Sequence, residues 1–289
     1  MTEVRPRRSA LYVPAANARA LEKAPSLDAD VVIVDLEDAV APAAKQEARR
    51  AAVQCLRRGM GRVEMVLRVN GAGTPWAEAD LAAAAGSGAD AVLLPKVDGP
   101  DVVRDAGRIL AASGAPDSLA LWAMIETPRG VLRAAEVAAS SPRLRCLVAG
   151  TSDLVKDLRA RHTASRTEVL VSLSLVVLAA RASGLAALDG VHLDLADEAG
   201  FGEACRQGRD LGFDGKTLIH PRTIAAANLA FTPGDEEVAA ARRVIEAHAA
   251  AEAAGRGVVV VDGRLVESLH VAEAHRVVAL AAAIAARRG

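Results

Sequence analysis

The sequence has almost no excess of either charge. Its 36 acidic and 35 basic residues leave a formal net charge of −1 over 289 residues. A chain without a net field does not attract nucleic acid or an anionic membrane surface as a whole. We therefore expect neither a nucleic-acid partner nor a membrane partner, and any anionic ligand must be held by local charges.

Long apolar runs and closely spaced cysteines are also scarce. No stretch reads as long and charge-free enough to cross a bilayer, and only about eight residues precede the first apolar run, too few for a secretory signal. The three cysteines, Cys55, Cys146 and Cys205, lie far apart without zinc-type spacing. These absences argue against a disulfide framework and a zinc site, and they predict a cytoplasmic protein with reduced thiols.

Eight short apolar runs alternate with helical stretches along most of the chain. Most are nearly continuous in Val, Ile and Leu, as parallel strands covered on both faces are. The alternation predicts an α/β fold, a (β/α)₈ TIM barrel over residues 1–232. A doubly wound sheet is the alternative, but no glycine-rich dinucleotide fingerprint follows any strand. The runs are Ser9–Pro14, Val31–Asp35, Glu64–Asn70, Ala91–Lys96, Leu119–Thr127, Leu144–Gly150, Leu188–Asp194 and Phe213–His220.

The pattern changes in the last part of the chain. Residues 233–289 predict a long helix, an apolar hairpin with an Asp-Gly turn, and a terminal Ala-rich helix. This C-terminal helical and hairpin extension is interpreted as a lid or as an arm that reaches a second subunit. Its predicted segments are Asp235–Ala254, Val258–Val261, a short run through Val266, and Val271–Arg288.

Charged side chains stand where several of the apolar runs end. A charge at the end of a buried strand is costly unless it meets water, a ligand or a metal. In a barrel these ends meet on one face, where active sites form. The sequence therefore predicts one pocket that gathers Asp35, Glu37, Asp38, Arg68, Lys96, Glu126, Asp153, Asp194 and His220.

Glu126 and Asp153 are the strongest pair, and two interpretations are open. Two carboxylates completed by water and substrate suit Mg²⁺, with Mn²⁺ as an alternative, whereas each carboxylate could equally cap the helix that follows it. Arg68 could bind a substrate carboxylate through two hydrogen bonds or form a structural ion pair with Glu37 or Asp38. The acidic cluster itself could order water around a metal or simply be solvated.

The remaining cations suggest two further kinds of chemistry. Arg19 and Lys23 stand four residues apart, so they could meet phosphates from one helix face or could be ordinary surface residues. A desolvated Lys96 or Lys216 could form a Schiff base with a carbonyl substrate. His220 could contact a ligand or act as an acid.

A set of motifs resembles one family, the citrate lyase β-subunit-like superfamily that includes malyl-CoA and citramalyl-CoA lyases. The match runs from about Arg8 to the C-terminal extension, and the motifs occur in the family order. They are Tyr-Val-Pro, Asp-Leu-Glu-Asp-Ala-Val, Arg-Val-Asn, Leu-Pro-Lys-Val, Ile-Glu-Thr-Pro, Gly-Thr-x-Asp-Leu, Gly-Phe-x-Gly-Lys-x-x-Ile-His-Pro and Phe-Thr-Pro.

The resemblance implies a phosphoenolpyruvate-binding type of TIM barrel, a homotrimer or hexamer, that cleaves a 3-hydroxyacyl-CoA into an acyl-CoA and a 2-oxo acid. It implies Mg²⁺ at Glu126 and Asp153, with Arg68 and Glu126 binding the oxo acid. It also implies a catalytic group from the lid and the acidic cluster. The residues implied along coenzyme A are Tyr12, Arg19, Lys23, Ile219 and His220, and the catalytic set is Arg68, Glu37, Asp38 and Glu267.

Three departures from the family pattern bear on the reaction. Ala15 replaces a glycine after Tyr-Val-Pro, and Ser152 replaces a Glu or Asn before the metal Asp. Glu267 stands where these lyases place an Asp, which moves the carboxylate by one methylene. A displacement of about 1 Å can cost on the order of 10²-fold in rate, so the substrate or the reaction is expected to differ.

The leading hypothesis from the sequence is a Mg²⁺-dependent carbon–carbon lyase acting on a CoA thioester such as malyl-CoA or citramalyl-CoA. The alternatives are a CoA-independent 2-oxo acid aldolase, an acyl-CoA thioesterase, and a non-catalytic subunit that depends on an acyl-carrier partner. Glu267 motivates the last of these, because an altered lid residue could abolish the reaction of the isolated chain.

Overall fold

The computed structural model describes residues 4–255 and 257–288. Eight parallel strands close into a barrel in chain order, from β1 to β8 and back to β1. This closed barrel confirms the predicted TIM-barrel fold. Its strands are β1 (Ser9–Pro14), β2 (Val31–Asp35), β3 (Glu64–Arg68), β4 (Ala91–Leu94), β5 (Ala120–Ile125), β6 (Leu144–Ala149), β7 (Ala186–Asp189) and β8 (Gly215–Leu218).

Helices follow every strand of the barrel. Two of them begin with a proline, Pro100 and Pro128, which suits the first turn because an N–H there has no partner within the helix. The helices are α1 (Ala18–Lys23), α2 (Lys45–Arg58), α3 (Ala77–Ala85), α4 (Pro100–Ala112), α5 (Pro128–Leu132), α6 (Ala134–Ala138), α7 (Thr151–Asp157), α8 (Leu170–Ala182), α9 (Glu198–Leu211) and α10 (Ile224–Ala230).

Side chains of the strands alternate between the barrel interior and the layer beneath the helices. In β2, Ile33 packs inside the barrel, whereas Val32 and Val34 belong to the core shared with the helices. Trp122 and Met124 of β5 are also buried in the interior. Because the interior is filled by side chains, a ligand can bind only beyond the strand ends.

The seventh strand differs from its prediction. The sequence placed it at Leu188–Asp194, but β7 runs from Ala186 to Asp189 and Asp194 lies in the following loop. That loop leads to Asp197, whose carboxylate accepts a hydrogen bond from the Gly200 N–H and caps α9. The apolar residues after β7 resemble a strand in sequence, but they line a cavity. The prediction that Asp194 lies at the end of a strand is therefore wrong.

Residues 7–231 form one compact unit, and residues 4–6 and the described residues from 232 onward form the other. Its two helices pack through an apolar cluster of Ala241, Ala274 and Val277. Residues 1–3, 256 and 289 of the predicted ranges 1–232 and 233–289 lie outside the described residues. The unit consists of α11 (Asp235–Ala253), β9 (Val259–Val261), β10 (Arg264–Val266) and α12 (Ser268–Arg288).

The hairpin of this unit is closed by a two-residue turn. Asp262 and Gly263 both have positive φ, 49° and 77°, as a type I′ turn requires. Arg243 of α11 donates to the Asp262 carboxylate at 2.7 Å and fixes the turn from outside. The hairpin and its helices occur where the sequence predicts them, and their role as a lid stays a prediction.

One helix is an exception to the expectation that no stretch of the sequence is long and apolar enough to cross a membrane. Ser268–Arg287 is long and apolar enough to cross a membrane by length and composition, with a mean hydropathy of 1.4. It carries the ion pair Glu273–Arg276, and one of its faces packs against α11. These features suit the surface helix of a packed unit, and composition alone is weak evidence for a membrane span.

Candidate active site

A cavity of about 490 Å³ opens at the C-terminal end of the barrel. Its lining is divided between a group of charged residues and an apolar wall. The charged group comes from the ends of β2, β3 and β5 and from the first turn of α7, so the barrel brings together residues far apart in sequence. It comprises Asp35, Asp38, Arg68, Glu126 and Asp153, and the wall includes Val191, Leu193 and Ile219.

Carboxylates contact all three nitrogens of the Arg68 guanidinium. Its Nε and Nη2 each donate to Asp35 at 2.6 Å, and its Nη1 lies 3.0 Å from Glu37 and 3.3 Å from Asp38. The guanidinium also stacks over the Tyr12 ring at 4.8 Å. Burial lowers the pKa of Arg68, but the hydrogen bonds to Asp35 together with the charges of Tyr12, Asp35 and Glu37 outweigh it, and the pKa lies above its ordinary value.

This geometry changes the expectation for substrate binding. The Nε–Nη2 edge, which usually grips a carboxylate with two parallel bonds, is occupied by Asp35. The remaining amino group, Nη1, is in contact with Glu37 and Asp38, so the predicted structural ion pair is present. A role of Arg68 in substrate binding stays a prediction.

Asp35 and Lys45 fix the acidic loop that follows β2. The Asp35 carboxylate accepts the backbone N–H groups of Glu37 and Ala39, at 2.8 and 3.3 Å. The Lys45 ammonium, buried at the start of α2, donates to the carbonyls of Leu36 and Glu37 at 2.8 and 2.7 Å. The loop is thus ordered by buried hydrogen bonds, which contradicts a purely solvated cluster.

Glu126 follows the end of β5 and is almost completely buried. Its Oε1 accepts the backbone N–H of Lys96 at 2.7 Å. Burial, followed by the negative charge of Glu37, raises the pKa of Glu126 to about 8. Gly150 makes room for this side chain, because a Cβ there would lie 2.3 Å from the Glu126 Cβ and 2.7 Å from its Oε2.

Asp153 lies in the first turn of α7, partly exposed to the cavity, with its Oδ2 3.4 Å from the Lys96 ammonium. Neither Asp153 nor Glu126 caps a helix. The cap of α5 is Thr127, whose hydroxyl accepts from the Gly130 N–H, and α7 begins after Gly150 without a side-chain cap. The capping interpretation is therefore wrong for both carboxylates.

The donor set fits a hard divalent cation. Glu126 and Asp153 offer carboxylate oxygens in one cavity, and Glu126 is almost completely buried with one oxygen, Oε2, not engaged by the Lys96 N–H. Within residues 4–255 and 257–288, no group of three or more His, Cys, Asp or Glu is arranged to hold a metal. The protein would thus provide two ligands and leave the others to water and substrate, as Mg²⁺ sites commonly do.

The predicted coenzyme A residues divide into two groups. Tyr12 and Ile219 line the cavity, whereas Arg19, Lys23 and His220 are exposed and are not among its lining residues. The imidazole of His220 accepts the Arg222 backbone N–H at 3.2 Å. The roles of these residues along coenzyme A remain predictions.

Lys216 is not at the cavity. It is fully buried in β8, where its Nζ lies 2.8 Å from Asp189, and Arg166 binds the same carboxylate. Burial lowers the pKa of Lys216, and Asp189 offsets only part of that effect. Its neighbour Thr217 faces the cavity instead, because successive residues of a strand point to opposite faces. A Schiff base at Lys216 has no support in this geometry.

Glu267 belongs to the other unit, directly before α12. Its backbone N–H donates to the imidazole of His270 at 3.1 Å, which caps the helix start. Two features of the site are not evident from the sequence: the space that Gly150 leaves for Glu126, and the contact of Lys96 with both Glu37 and Asp153. The signal for Gly150 was its place between a strand and the first turn of a helix.

The chain is similar to known proteins of one family. The family described as HpcH/HpaI aldolase/citrate lyase matches residues 8–221. The (3S)-malyl-CoA thioesterase of Cereibacter sphaeroides is 48% identical over 287 residues, 99% of this chain and 98% of that protein. The citrate lyase subunit beta of Escherichia coli K12 is 40% identical over 271 residues, 92% of this chain and 90% of that protein.

Solved structures of similar fold include two complexes with magnesium. The CitE protein of Mycobacterium tuberculosis in complex with magnesium, acetoacetate and coenzyme A has a TM-score of 0.76 at 34% identity, covering 95% of this chain and 97% of that one. The citrate lyase beta subunit of M. tuberculosis complexed with oxaloacetate and magnesium has a TM-score of 0.69 at 34% identity, covering 79% and 98%.

Proposed function

Because the chain belongs to the HpcH/HpaI aldolase/citrate lyase family, we propose that it is a Mg²⁺-dependent enzyme acting on the CoA thioester of a short hydroxy acid, (3S)-malyl-CoA first. The observation that carries this proposal is the single cavity that joins Arg68, Glu126 and Asp153 to an apolar wall. A 2-hydroxy acid has oxygens for a metal and a carboxylate for an arginine, and the methylene groups of the pantetheine arm can pack against an apolar wall. Similar proteins hold magnesium with coenzyme A or with oxaloacetate, which supports this choice.

The binding mode follows from the division of the cavity. The acid end is placed at Glu126 and Asp153, the proposed Mg²⁺ ligands, with Arg68 Nη1 as the cationic donor. The pantetheine arm runs along the apolar wall toward Leu193 and Ile219, which are 53% and 40% exposed. We place the pantetheine arm there, where the cavity opens to solvent, and the thioester carbonyl between that arm and the charged group.

Two bonds of malyl-CoA could be cut from this one binding mode. Hydrolysis breaks the C–S bond of the thioester, and lyase chemistry breaks the bond between the carbinol carbon and the methylene carbon. The 48% identity to a (3S)-malyl-CoA thioesterase over nearly the whole chain favours hydrolysis. The 40% identity to citrate lyase subunit beta favours carbon–carbon cleavage as the second candidate.

For hydrolysis, Asp38 is the carboxylate best placed as a base. It lines the cavity beside Arg68 Nη1, whereas Glu37 lies behind it between Arg68 and Lys96. Asp38 takes a proton as water adds to the thioester carbonyl carbon; the C–S bond then breaks and the thiolate is protonated. Arg68 stabilises the negative charge that develops on oxygen, and bound Mg²⁺ would supply Lewis-acid polarisation of the hydroxy-acid oxygens.

For lyase chemistry, the base instead removes the proton of the hydroxyl group. The carbinol carbon becomes the carbonyl of a 2-oxo acid, and the electron pair of the broken bond forms an acyl-CoA enolate that takes up a proton. Glu267 is the lid carboxylate proposed for this reaction. A free 2-oxo acid aldolase and an inert subunit are the outcomes that would replace both candidates.

A product assay with matched controls tests the proposal. The purified chain is incubated with (3S)-malyl-CoA, with Mg²⁺ or with EDTA, and the products are identified by mass spectrometry. Malate with free CoA indicates hydrolysis, and glyoxylate with acetyl-CoA indicates the lyase reaction. Glu126→Gln should lose the activity, and Glu47→Gln, an exposed glutamate on α2, should keep it. No Mg²⁺-dependent turnover by the wild-type chain would overturn the proposal.

A further inference from the structure

Lys96 has an uncommon backbone conformation. Its φ is +51°, and it is one of four non-glycine residues with positive φ in the described part of the chain. A left-handed conformation is unfavourable for a residue with a Cβ, so it persists where the surroundings impose it. Here the chain leaves β4 at Leu94, and the next N–H, that of Val97, already bonds to the Met124 carbonyl at 3.2 Å.

This conformation directs the Lys96 backbone toward one proposed metal ligand. The Lys96 N–H donates to Glu126 Oε1 at 2.7 Å, the one protein hydrogen bond of that carboxylate among the described residues. A carboxylate held by one oxygen keeps a fixed orientation and leaves its other oxygen for a ligand. The left-handed conformation of Lys96 thus contributes to the site through the backbone, because it directs the Lys96 N–H to Glu126.

The side chain of the same residue lies between two other carboxylates. The Lys96 ammonium is 3.4 Å from Glu37 Oε1 and 3.4 Å from Asp153 Oδ2. The two acids come from the loop after β2 and from α7, so one lysine connects three separate segments of the barrel face. Both N–O distances are longer than those of a close ion pair. The Lys96 ammonium is therefore shared between the two carboxylates.

We infer that Lys96 is a positioning residue that orients Glu126 through its N–H and shares Asp153 with the divalent cation through its ammonium. This inference rests on the proposed function, because it places Mg²⁺ at Glu126 and Asp153. The ammonium balances Glu37 and Asp153 before the metal binds and repels the metal once it is bound. Lys96 therefore weakens metal affinity while it keeps the acids in a productive arrangement.

Removal of the Lys96 ammonium should strengthen Mg²⁺ binding but slow turnover, and these opposite effects can be measured separately. Two like-signed charges that share a carboxylate repel each other strongly at short range. Water screens part of this effect, because the Lys96 side chain is 47% exposed. We expect Lys96→Met to bind Mg²⁺ roughly threefold to tenfold more tightly and to turn over (3S)-malyl-CoA roughly tenfold or more slowly. A merely structural lysine would weaken both binding and turnover when removed.

The experiment is a calorimetric titration of the metal-free protein with Mg²⁺, alongside turnover of (3S)-malyl-CoA. Lys96→Arg should stay near the wild-type affinity because it keeps the charge. Lys156→Met, an exposed lysine later in α7, controls for the loss of any positive charge near Asp153. Lys96→Gly and Lys96→Ala both lack the ammonium, and the glycine variant should melt at the higher temperature because it adopts positive φ freely.

The outcomes separate this inference from the proposed function. Unchanged or weaker Mg²⁺ binding by Lys96→Met, with normal binding by the wild-type protein, would overturn the role of Lys96 alone. Failure of the wild-type protein to bind Mg²⁺ would overturn the metal site and the role of Lys96 together. Equal melting temperatures of the glycine and alanine variants would show that the left-handed backbone is not imposed by the site.

Discussion

Replacing Gly150 by alanine tests whether the position of Glu126 matters, because it moves that side chain without changing its chemistry. The backbone of Gly150, with φ −99° and ψ 78°, is accessible to alanine, so the effect is steric. The added Cβ would lie 2.3 Å from the Glu126 Cβ, against about 3.5 Å for an ordinary carbon–carbon contact. The contact is to the first side-chain carbon, which cannot move away without β5 or α7 moving.

The required displacement is therefore about 1 Å. Overpacking of this kind typically costs about 1–3 kcal/mol of stability, and a misplacement of about 1 Å at a site can cost on the order of 10²-fold in rate. We expect Gly150→Ala to fold, to bind Mg²⁺ at least about tenfold more weakly, and to lose about 10²-fold in kcat. Calorimetry, urea unfolding and the product assay measure these three quantities.

The matched control is Gly107→Ala on α4. A Cβ at Gly107 meets only the Leu121 side chain, at an ordinary 4.0 Å, and alanine in a helix is favoured over glycine by roughly 0.5–1 kcal/mol. This variant should be slightly more stable and otherwise unchanged. If Gly150→Ala bound Mg²⁺ with the wild-type Kd and kept its turnover within a factor of about two, Glu126 could not be a spatially constrained metal ligand.

Three further predictions concern single groups. Glu126→Gln should keep the fold by circular dichroism but lose activity by about 10²-fold or more; unchanged Mg²⁺ affinity by calorimetry would remove the site assignment. Glu267→Asp should raise carbon–carbon lyase turnover in the product assay if the lid acts as in related lyases, and no gain would indicate another base. Burial raises the pKa of Asp189, but Lys216 and Arg166 outweigh it and hold that pKa below its ordinary value. The unfolded chain therefore takes up this proton first, and the free energy of unfolding should fall as pH drops below about 4. Urea titrations at pH 3–6 should show a smaller slope for Asp189→Leu/Lys216→Met than for the wild-type protein.

The sequence was sufficient to place most strand ends. The runs that became β2 to β6 are continuous in apolar residues and stop at polar ones, so their predicted ends agree with the structure within two residues. Asp35, Arg68 and Glu126 were therefore placed on one barrel face correctly. The seventh run was misplaced because Val191 and Leu193 are apolar for a different reason, namely that they line the cavity.

The pairing of the charges could not be read from the sequence. Asp35 and Arg68 are partners in the register of β2 and β3, and that register depends on the stagger of the closed barrel, which no local pattern encodes. The same limit applies to Lys96, because a positive φ at a lysine follows from the contacts on both sides of it. Glycine carries a sequence signal for such conformations, but lysine does not.

The cavity and its surroundings contain more acidic than basic side chains. The cavity carboxylates and Glu37 are five acids, and among the described residues the side-chain cations in contact with them are Arg68 and Lys96. Burial and like charges together raise the pKa of Glu37 and of Glu126. With one edge of Arg68 occupied by Asp35, the protein alone offers little positive charge to a substrate carboxylate. The proposed function therefore assigns the acid end of the substrate to the divalent cation, and the role proposed for Lys96 and Gly150 is to keep Glu126 and Asp153 in position for that cation.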